Sequence, residues 1–196
     1  MPYSIVRLVS AIILKVFFRI SVTGKTNLPA RGAFILASNH VSFLDPVAVA
    51  VACPRRLNFM AKEELFRSAW SSRFFYSIKC FPVKRNSADL SALKEALRRL
   101  KGGQPLALFP EGSRRLDGAS AAPYPGIGFL AAKLNIPVVP VFVGGTDVAL
   151  PKGARFIRIN RISVCFGRQM RVDKKLSYKD IARQIMENIR HLEGLA

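Results

Sequence analysis

Acidic residues are scarce in this chain. Against 31 Lys and Arg there are 12 Asp and Glu, and the formal net charge is +19. A surface of that sign attracts polyanions: nucleic acid, an anionic membrane, or phosphorylated or acidic-protein substrates. Charge alone does not choose among them. Cysteine is scarce as well. Cys53, Cys80 and Cys165 are odd in number, far apart and set in apolar stretches. That pattern excludes a disulfide frame and fits reduced core residues of a cytoplasmic protein. The two histidines, His40 and His191, are too widely spaced for a metal cluster. No metal or other cofactor is implied, and His191 reads as a surface residue. No Pro/Gly/Ser-rich linker, low-complexity tract or internal repeat divides the 196 residues, 50% of them hydrophobic. One domain with a sizeable core is expected.

The N-terminus lacks an apolar run long enough to cross a bilayer. Arg7, Lys15 and Arg19 interrupt residues 1–20, and the longest uncharged run there is 8–14. That is far short of the ~20 residues a span needs. At about 100° per residue the three cations fall within roughly a third of a helical wheel. The rest of the wheel carries Ile5, Leu8, Val9, Ile12, Ile13, Val16 and Phe17. A wide apolar face with a narrow basic stripe is the pattern of a helix lying in a membrane interface. Residues 1–21 are therefore read as an amphipathic membrane-interface helix and 22–196 as the folded domain. A helix that simply covers the domain core is the competing reading. No small-residue cleavage site follows, which argues against a signal peptide.

Downstream the pattern alternates. Strand-like stretches at 19–23, 33–37, 57–61, 81–84, 105–109 and 137–143 are separated by helical ones at 46–52, 63–78 (broken or whole), 88–101 and 127–134. Helix 88–101 is the clearest: Ser87 caps it, Leu90, Leu93, Leu97 and Leu100 form its stripe, and Gly102 stops it. Strands that are apolar throughout, at 106–109 and 138–143, indicate burial on both faces. The expectation is an α/β fold: a single domain with a mixed, mostly parallel central sheet and helices on both faces. Residues 156–159 and 162–166, flanking Asn160-Arg161, read as a hairpin. Residues 178–192 read as a last helix with a Ser177…Asp180 capping box, burying Ile181, Ile185, Ile189 and Leu192.

The chemistry concentrates in Ala37-Ser38-Asn39-His40-Val41-Ser42-Phe43-Leu44-Asp45-Pro46. A hydroxyl needs a base to become a nucleophile near pH 7. Histidine has a suitable pKa, and a carboxylate can fix its tautomer and stabilise the imidazolium. Five residues is the wrong spacing for one face of a helix. His40 is therefore expected on a turn, with Asp45 at or near the start of the next helix and folded back towards it. The bland alternative is an ordinary helix start, Asp45 as N-cap and Pro46 as first helical residue. Two further strand ends are polar. Lys84-Arg85-Asn86 follows strand 81–83, where cations before a helix can grip a phosphate or form a merely exposed loop. Core strand 106–109 runs into Pro110-Glu111-Gly112-Ser113-Arg114-Arg115. Ligands bind at the carboxyl ends of strands in open parallel sheets, and Gly112 permits close backbone approach; a solvated turn is the alternative. The apolar stretch 135–141 is a core strand that could also line a channel for a hydrocarbon chain.

Together these blocks resemble the glycerolipid acyltransferase family. Asn39-His40-Val41-Ser42-Phe43-Leu44-Asp45 is similar to its NHxSxxD motif and Phe81-Pro82-Val83-Lys84-Arg85 to its second block. Phe109-Pro110-Glu111-Gly112-Ser113-Arg114 is similar to its FPEG[ST]R block and Ile136-Pro137-Val138-Val139-Pro140-Val141 to its fourth. The four stand in the family's order across 22–143, and Val22-Thr23-Gly24 with Asn27-Leu28-Pro29 resembles its lead-in. In one departure, Tyr124-Pro125 stands where a basic residue often precedes Gly126, leaving Lys133 or Arg115 as substitutes.

The resemblance implies transfer of a fatty acyl group from acyl-CoA or acyl carrier protein to the free hydroxyl of 1-acyl-glycerol 3-phosphate. It implies His40 as general base, Asp45 as its orienting carboxylate, and a substrate site of Arg85, Glu111, Gly112, Ser113 and Arg114. Of these, Arg85 and Arg114 would hold the acceptor phosphate, and Glu111 would bond the glycerol hydroxyls or hold Arg114. No serine or cysteine nucleophile is implied. The implied partners are the lysophospholipid, the thioester donor and an anionic membrane surface, reached by a peripheral or monotopic enzyme on the cytoplasmic face. Glycerol 3-phosphate or another lysophospholipid is the alternative acceptor. From other classes, a thioester hydrolase would not need the arginines. A nucleic-acid binder would need aromatic platforms or a cation-rich docking helix; the cations here are dispersed, and nucleic acid is not expected as a partner.

Overall fold

The computed structural model describes residues 2–84, 89–112, 122–151 and 153–195. Arg85, Ser87, Ser113, Arg114 and Arg115 lie outside the described residues. Seven strands form one sheet: β1 (Ser21–Thr23), β2 (Ile35–Ser38), β3 (Asn58–Lys62), β4 (Cys80–Val83), β5 (Leu106–Leu108), β6 (Val138–Gly144) and β7 (Ser163–Phe166). Their order is β1-β7-β6-β2-β5-β3-β4. Every neighbouring pair is parallel except β6 with β7.

The central strand β2 is buried along its whole length. Ile35 and Ala37 face one layer and Leu36 the other, so the two-residue period of a strand feeds two cores at once. One layer holds α1 (Pro2–Phe18), α2 (Asp45–Ala52) and α3 (Ala69–Ser77). The other holds α4 (Leu90–Lys101), α5 (Gly126–Leu134) and α7 (Tyr178–His191). A short α6 (Thr146–Ala149) follows β6. The protein is thus an α/β domain with a mixed, mostly parallel sheet and helices on both faces. The three cysteines are buried and unpaired, and burial pushes the Cys80 thiol up to about 12.

Four local expectations change. The hairpin does not form: residues 156–159 carry no strand, because β6 and β1 already fill both edges of β7. Helix α4 is capped by Asp89, its carboxylate accepting from the amides of Ser91 (2.9 Å) and Ala92 (3.0 Å), and Ser87, the expected cap, lies outside the described residues. Hydrogen bonds from the Lys84 amide, the Ser91 hydroxyl and the Ala92 amide hold that carboxyl at about 2. The buried stripe of α4 is Ala92, Ala96 and Leu100, while Leu93 and Leu97 are partly buried and Leu90 is exposed. In α1, Arg7 donates to the Val51 carbonyl at 3.4 Å and so belongs to the seam with α2, not to an outward basic stripe.

Helix α1 does cover the core, through Tyr3, Leu14 and Phe18. Its other side still exposes Ile5, Leu8, Val9, Ile12, Ile13, Val16 and Phe17. No helix among the described residues is long and apolar enough to cross a membrane.

Helices α5 and α7 approach backbone to backbone at Gly128, where a Cβ would overlap the Tyr178 carbonyl. Overpacking a tight contact costs about 1–3 kcal/mol. Gly128→Ala is therefore expected to lower Tm by several degrees, at roughly 2–4 °C per kcal/mol. A Tm equal to the wild type would mean that α7 slides away at no cost and that the glycine does not set this contact.

Candidate active site

The site begins where β2 ends. Beyond Ser38 the Asn39 side chain takes over the ladder to β6: its Nδ2 donates to the Val143 carbonyl at 2.9 Å, and the Val143 amide donates to its Oδ1 at 2.8 Å. That clamp fixes where the following turn starts. The turn then brings Asp45 back beneath His40, as the five-residue spacing requires.

Asp45 is fully buried and His40 is 7% exposed. The Asp45 carboxylate is met on both oxygens. Oδ2 accepts from the amides of Val41 (2.7 Å) and Ser42 (2.8 Å) and lies 2.9 Å from His40 Nδ1. Oδ1 accepts from Thr146 Oγ1 at 2.5 Å. A buried carboxylate costs several kcal/mol unless its lone pairs are satisfied, and four donors satisfy these. The amides can only donate, so the hydrogen-bond network assigns the imidazole proton to Nδ1. Nε2 is then the nitrogen that can accept a proton.

The carboxylate does not cap α2. It accepts from residues that precede it, not from amides of the helix's first turn. The ordinary helix-start reading of Asp45 gives way to a turn built around its side chain. Ser42, also fully buried, ties the same turn to the end of α6, donating to the Leu150 carbonyl at 2.8 Å and accepting from the Leu44 amide at 3.2 Å.

β5 lies next to β2, so its carboxyl end sits beside the dyad. The Phe109 ring stacks on the His40 imidazole with centroids 4.3 Å apart. Glu111 Oε2 accepts from the His40 amide at 3.2 Å. Gly112 has φ 69°, in the left-handed region that favours glycine. The Tyr124 ring lies where a Cβ on Gly112 would be, and the Tyr124 amide donates to the Pro110 carbonyl at 2.9 Å. The residue at the departure from the family pattern therefore packs on the glycine and supplies no cation. Lys133 is exposed on α5 and His191 at the end of α7. Among the described residues no group of His, Cys, Asp or Glu could hold a metal ion.

The structure thus brings together His40, Asp45, Glu111 and Gly112. Arg85, Ser113 and Arg114 lie outside the described residues. Thr146, Phe109 and Asn39 were not singled out as site residues from sequence. For Thr146 the available signal was its position, a polar residue after Gly144-Gly145 at the end of a core strand.

Similarity to known proteins bears on the same residues. The acyltransferase family profile matches residues 19–144. The chain is 35% identical over 104 residues to the 1-acyl-sn-glycerol-3-phosphate acyltransferase of Bacillus subtilis, covering 53% of this chain and 52% of that protein. It is 30% identical over 156 residues to a chloroplastic 1-acyl-sn-glycerol-3-phosphate acyltransferase of Arabidopsis thaliana, covering 78% of this chain and 44% of the relative. Its structure is similar to the crystal structure of the 1-acyl-sn-glycerophosphate acyltransferase from Thermotoga maritima, with a TM-score of 0.83 and 26% identity over 98% of this chain and 79% of that one. The chain spans about half the length of the curated relatives it matches. The family match runs from β1 through β6 and takes in the whole dyad turn and the end of β5: the chain belongs to the acyltransferase family.

Proposed function

We propose that the protein transfers a fatty acyl group from a thioester, on coenzyme A or acyl carrier protein, to the free hydroxyl of 1-acyl-glycerol 3-phosphate, giving phosphatidic acid. The observation that carries this reading is the buried His40–Asp45 pair at the carboxyl end of β2, 2.9 Å apart, with Nε2 as the basic nitrogen. The names of the relatives support the choice of acceptor.

In this reading the acceptor hydroxyl gives its proton to His40 Nε2 as its oxygen attacks the thioester carbonyl. The imidazolium that forms is stabilised by Asp45. Collapse of the tetrahedral intermediate breaks the C–S bond, and the same proton goes to the leaving thiolate. No protein nucleophile takes part. Phe109 limits rotation of the imidazole, and Glu111 and Asn39 fix the turn that carries it. Two substrates must meet in line, so positioning supplies a large share of the rate. Arg85 and Arg114 hold the acceptor phosphate, with Gly112 and Ser113 lining the approach. Glu111 uses Oε2 on the His40 amide, which leaves Oε1 for Arg114 or a glycerol hydroxyl. Residues 1–21 rest on the cytoplasmic leaflet through the outward apolar face of α1, supported by that face's exposure.

The direct test is labelled acyl-thioester with and without lysophosphatidic acid. Acceptor-dependent phosphatidic acid is expected. Free fatty acid that forms regardless of acceptor would make the protein a hydrolase, and no product from either would overturn the enzymatic reading.

His40→Ala is expected to lower transfer by about 10²–10⁴ while the protein stays folded, since the side chain is a partner of Asp45 and not part of either core. More than a tenth of wild-type activity in a folded variant would remove His40 from the chemistry. For the phosphate contacts, Arg85→Ala and Arg114→Ala should each raise acceptor KM and leave donor KM nearly unchanged; a charge-assisted contact is worth about 1.5–3 kcal/mol. Unaltered acceptor kinetics in both would make these side chains surface charge. For α1, Leu8→Glu with Ile12→Glu changes only exposed positions and should cut co-sedimentation with anionic vesicles. Equal sedimentation of variant and wild type would rule out α1 as an anchor.

A further inference from the structure

The segment 155–161 has the sequence Arg-Phe-Ile-Arg-Ile-Asn-Arg. It forms no strand. Phe156 is 82% exposed, Ile157 58% and Ile159 77%, and Arg155, Arg158 and Arg161 are exposed among them. Single apolar side chains on a surface need no explanation, but three within four positions form a concentrated patch. Its place in the fold is the catalytic end of the sheet. β7 starts at Ser163, whose partner in β6 is Gly144, the last residue of that strand. The chain leading into β7 therefore lies beyond the carboxyl end of β6, on the side where β2 delivers His40.

The segment is also bonded to the pieces that hold the dyad. The Arg158 amide donates to the Ala149 carbonyl at 2.8 Å, and Asn160 Nδ2 donates to the Gly145 carbonyl at 2.9 Å. Gly145 has φ 79°, and a Cβ there would overlap the Arg161 carbonyl, so the two backbones run in contact. Between those anchor points Thr146 bonds Asp45, and Leu150 just beyond receives Ser42. Ile159 and Arg161 share a cleft with Phe17 and Arg19 at the end of α1. Phe43, within the dyad turn, is 65% exposed and Val148 49%.

We propose that segment 155–161 is a second membrane-contact element, inserting Phe156, Ile157 and Ile159 into an anionic bilayer while its three arginines pair with lipid phosphates. Together with the end of α1 it would set the catalytic rim against the leaflet. The inference rests on the acyl-transfer reading only for its purpose, since a bilayer-resident acceptor must reach His40. The chemistry of the patch selects the occupant. Three guanidinium groups require an anionic partner, and three bulky apolar side chains require one with an apolar layer beneath its charge. Nucleic acid offers the first and not the second.

The test uses the full chain. Trp70 is the sole tryptophan, so the double variant Trp70→Phe/Phe156→Trp carries its only indole at the tip of the segment, at a position exposed enough to accept it. With vesicles of phosphatidylcholine and phosphatidylglycerol the emission is expected to shift to the blue and to be quenched by brominated acyl chains, and the effect should weaken with salt and with neutral vesicles. In parallel, Phe156→Ser/Ile157→Ser/Ile159→Ser is expected to lower the vesicle partition coefficient about tenfold or more. A water-like, unquenched indole on protein that co-sediments with the vesicles would overturn the proposal, as would triple-variant partition equal to the wild type. A blue shift that follows protein concentration without lipid would overturn it in favour of a second copy of the chain. Both vesicle readouts need no turnover. Failure of the wild type to acylate a short-chain, water-soluble lysophosphatidic acid would therefore count against the acyl-transfer reading and not against the docking surface.

Discussion

A carboxylate with no access to water imposes the strictest condition in this structure. Asp45 must receive hydrogen bonds on both oxygens, and the donors come from three places: the turn just before it, the imidazole of His40 and the hydroxyl of Thr146. Each of these is fixed by something else. The turn is fixed by the Asn39 clamp on β6, and Thr146 by the tight approach of Gly145 to residue 161. Satisfying one buried charge thus locks the ends of β2 and β6 together. An imidazole oriented by such a cluster keeps its tautomer without needing substrate to organise it, which is the arrangement proton transfer favours.

Much of this was legible in the residues and some of it could not be. Buried strands announce themselves by unbroken apolar runs, and β2, β5 and β6 fall where those runs are. The His40/Asp45 relation was legible because a spacing of five excludes a shared helix face and forces a fold-back. Long-range pairing is another matter. Residues 156–159 have strand-like composition, but a strand has two edges, and both edges of β7 were taken by segments whose arrival no local pattern records. Thr146 is 101 residues from its partner, so nothing near it marks it as part of the site. Asp45 before Pro46 is locally indistinguishable from a helix cap. Its actual role depends on where the preceding turn points. For α4, Ser87 and Asp89 are both competent caps by residue type, and the choice of Asp89 rests on its reach to the Ser91 and Ala92 amides.

Two apolar surfaces on one helix also resist a reading by pattern. The wheel of α1 offered a core-covering helix or an interfacial one, as if these excluded each other. Tyr3, Leu14 and Phe18 meet the first requirement with a narrow stripe, and the remaining circumference is still apolar. A helix that is hydrophobic nearly all round has to be covered nearly all round, and the domain covers only one side.

Tyr124 has a consequence for how such a site can diversify. Its amide bonds Pro110 and its ring packs on Gly112, so the stretch that leaves the end of β5 is cinched shut at its base before it reaches α5. Above a closed base, insertions are inexpensive: doubling the length of an excursion costs only about 0.6 kcal/mol of closure entropy. Glu111 stays in register with the His40 amide whatever lies beyond the cinch. A change in the length of that stretch is therefore compatible with the same His40–Asp45 geometry.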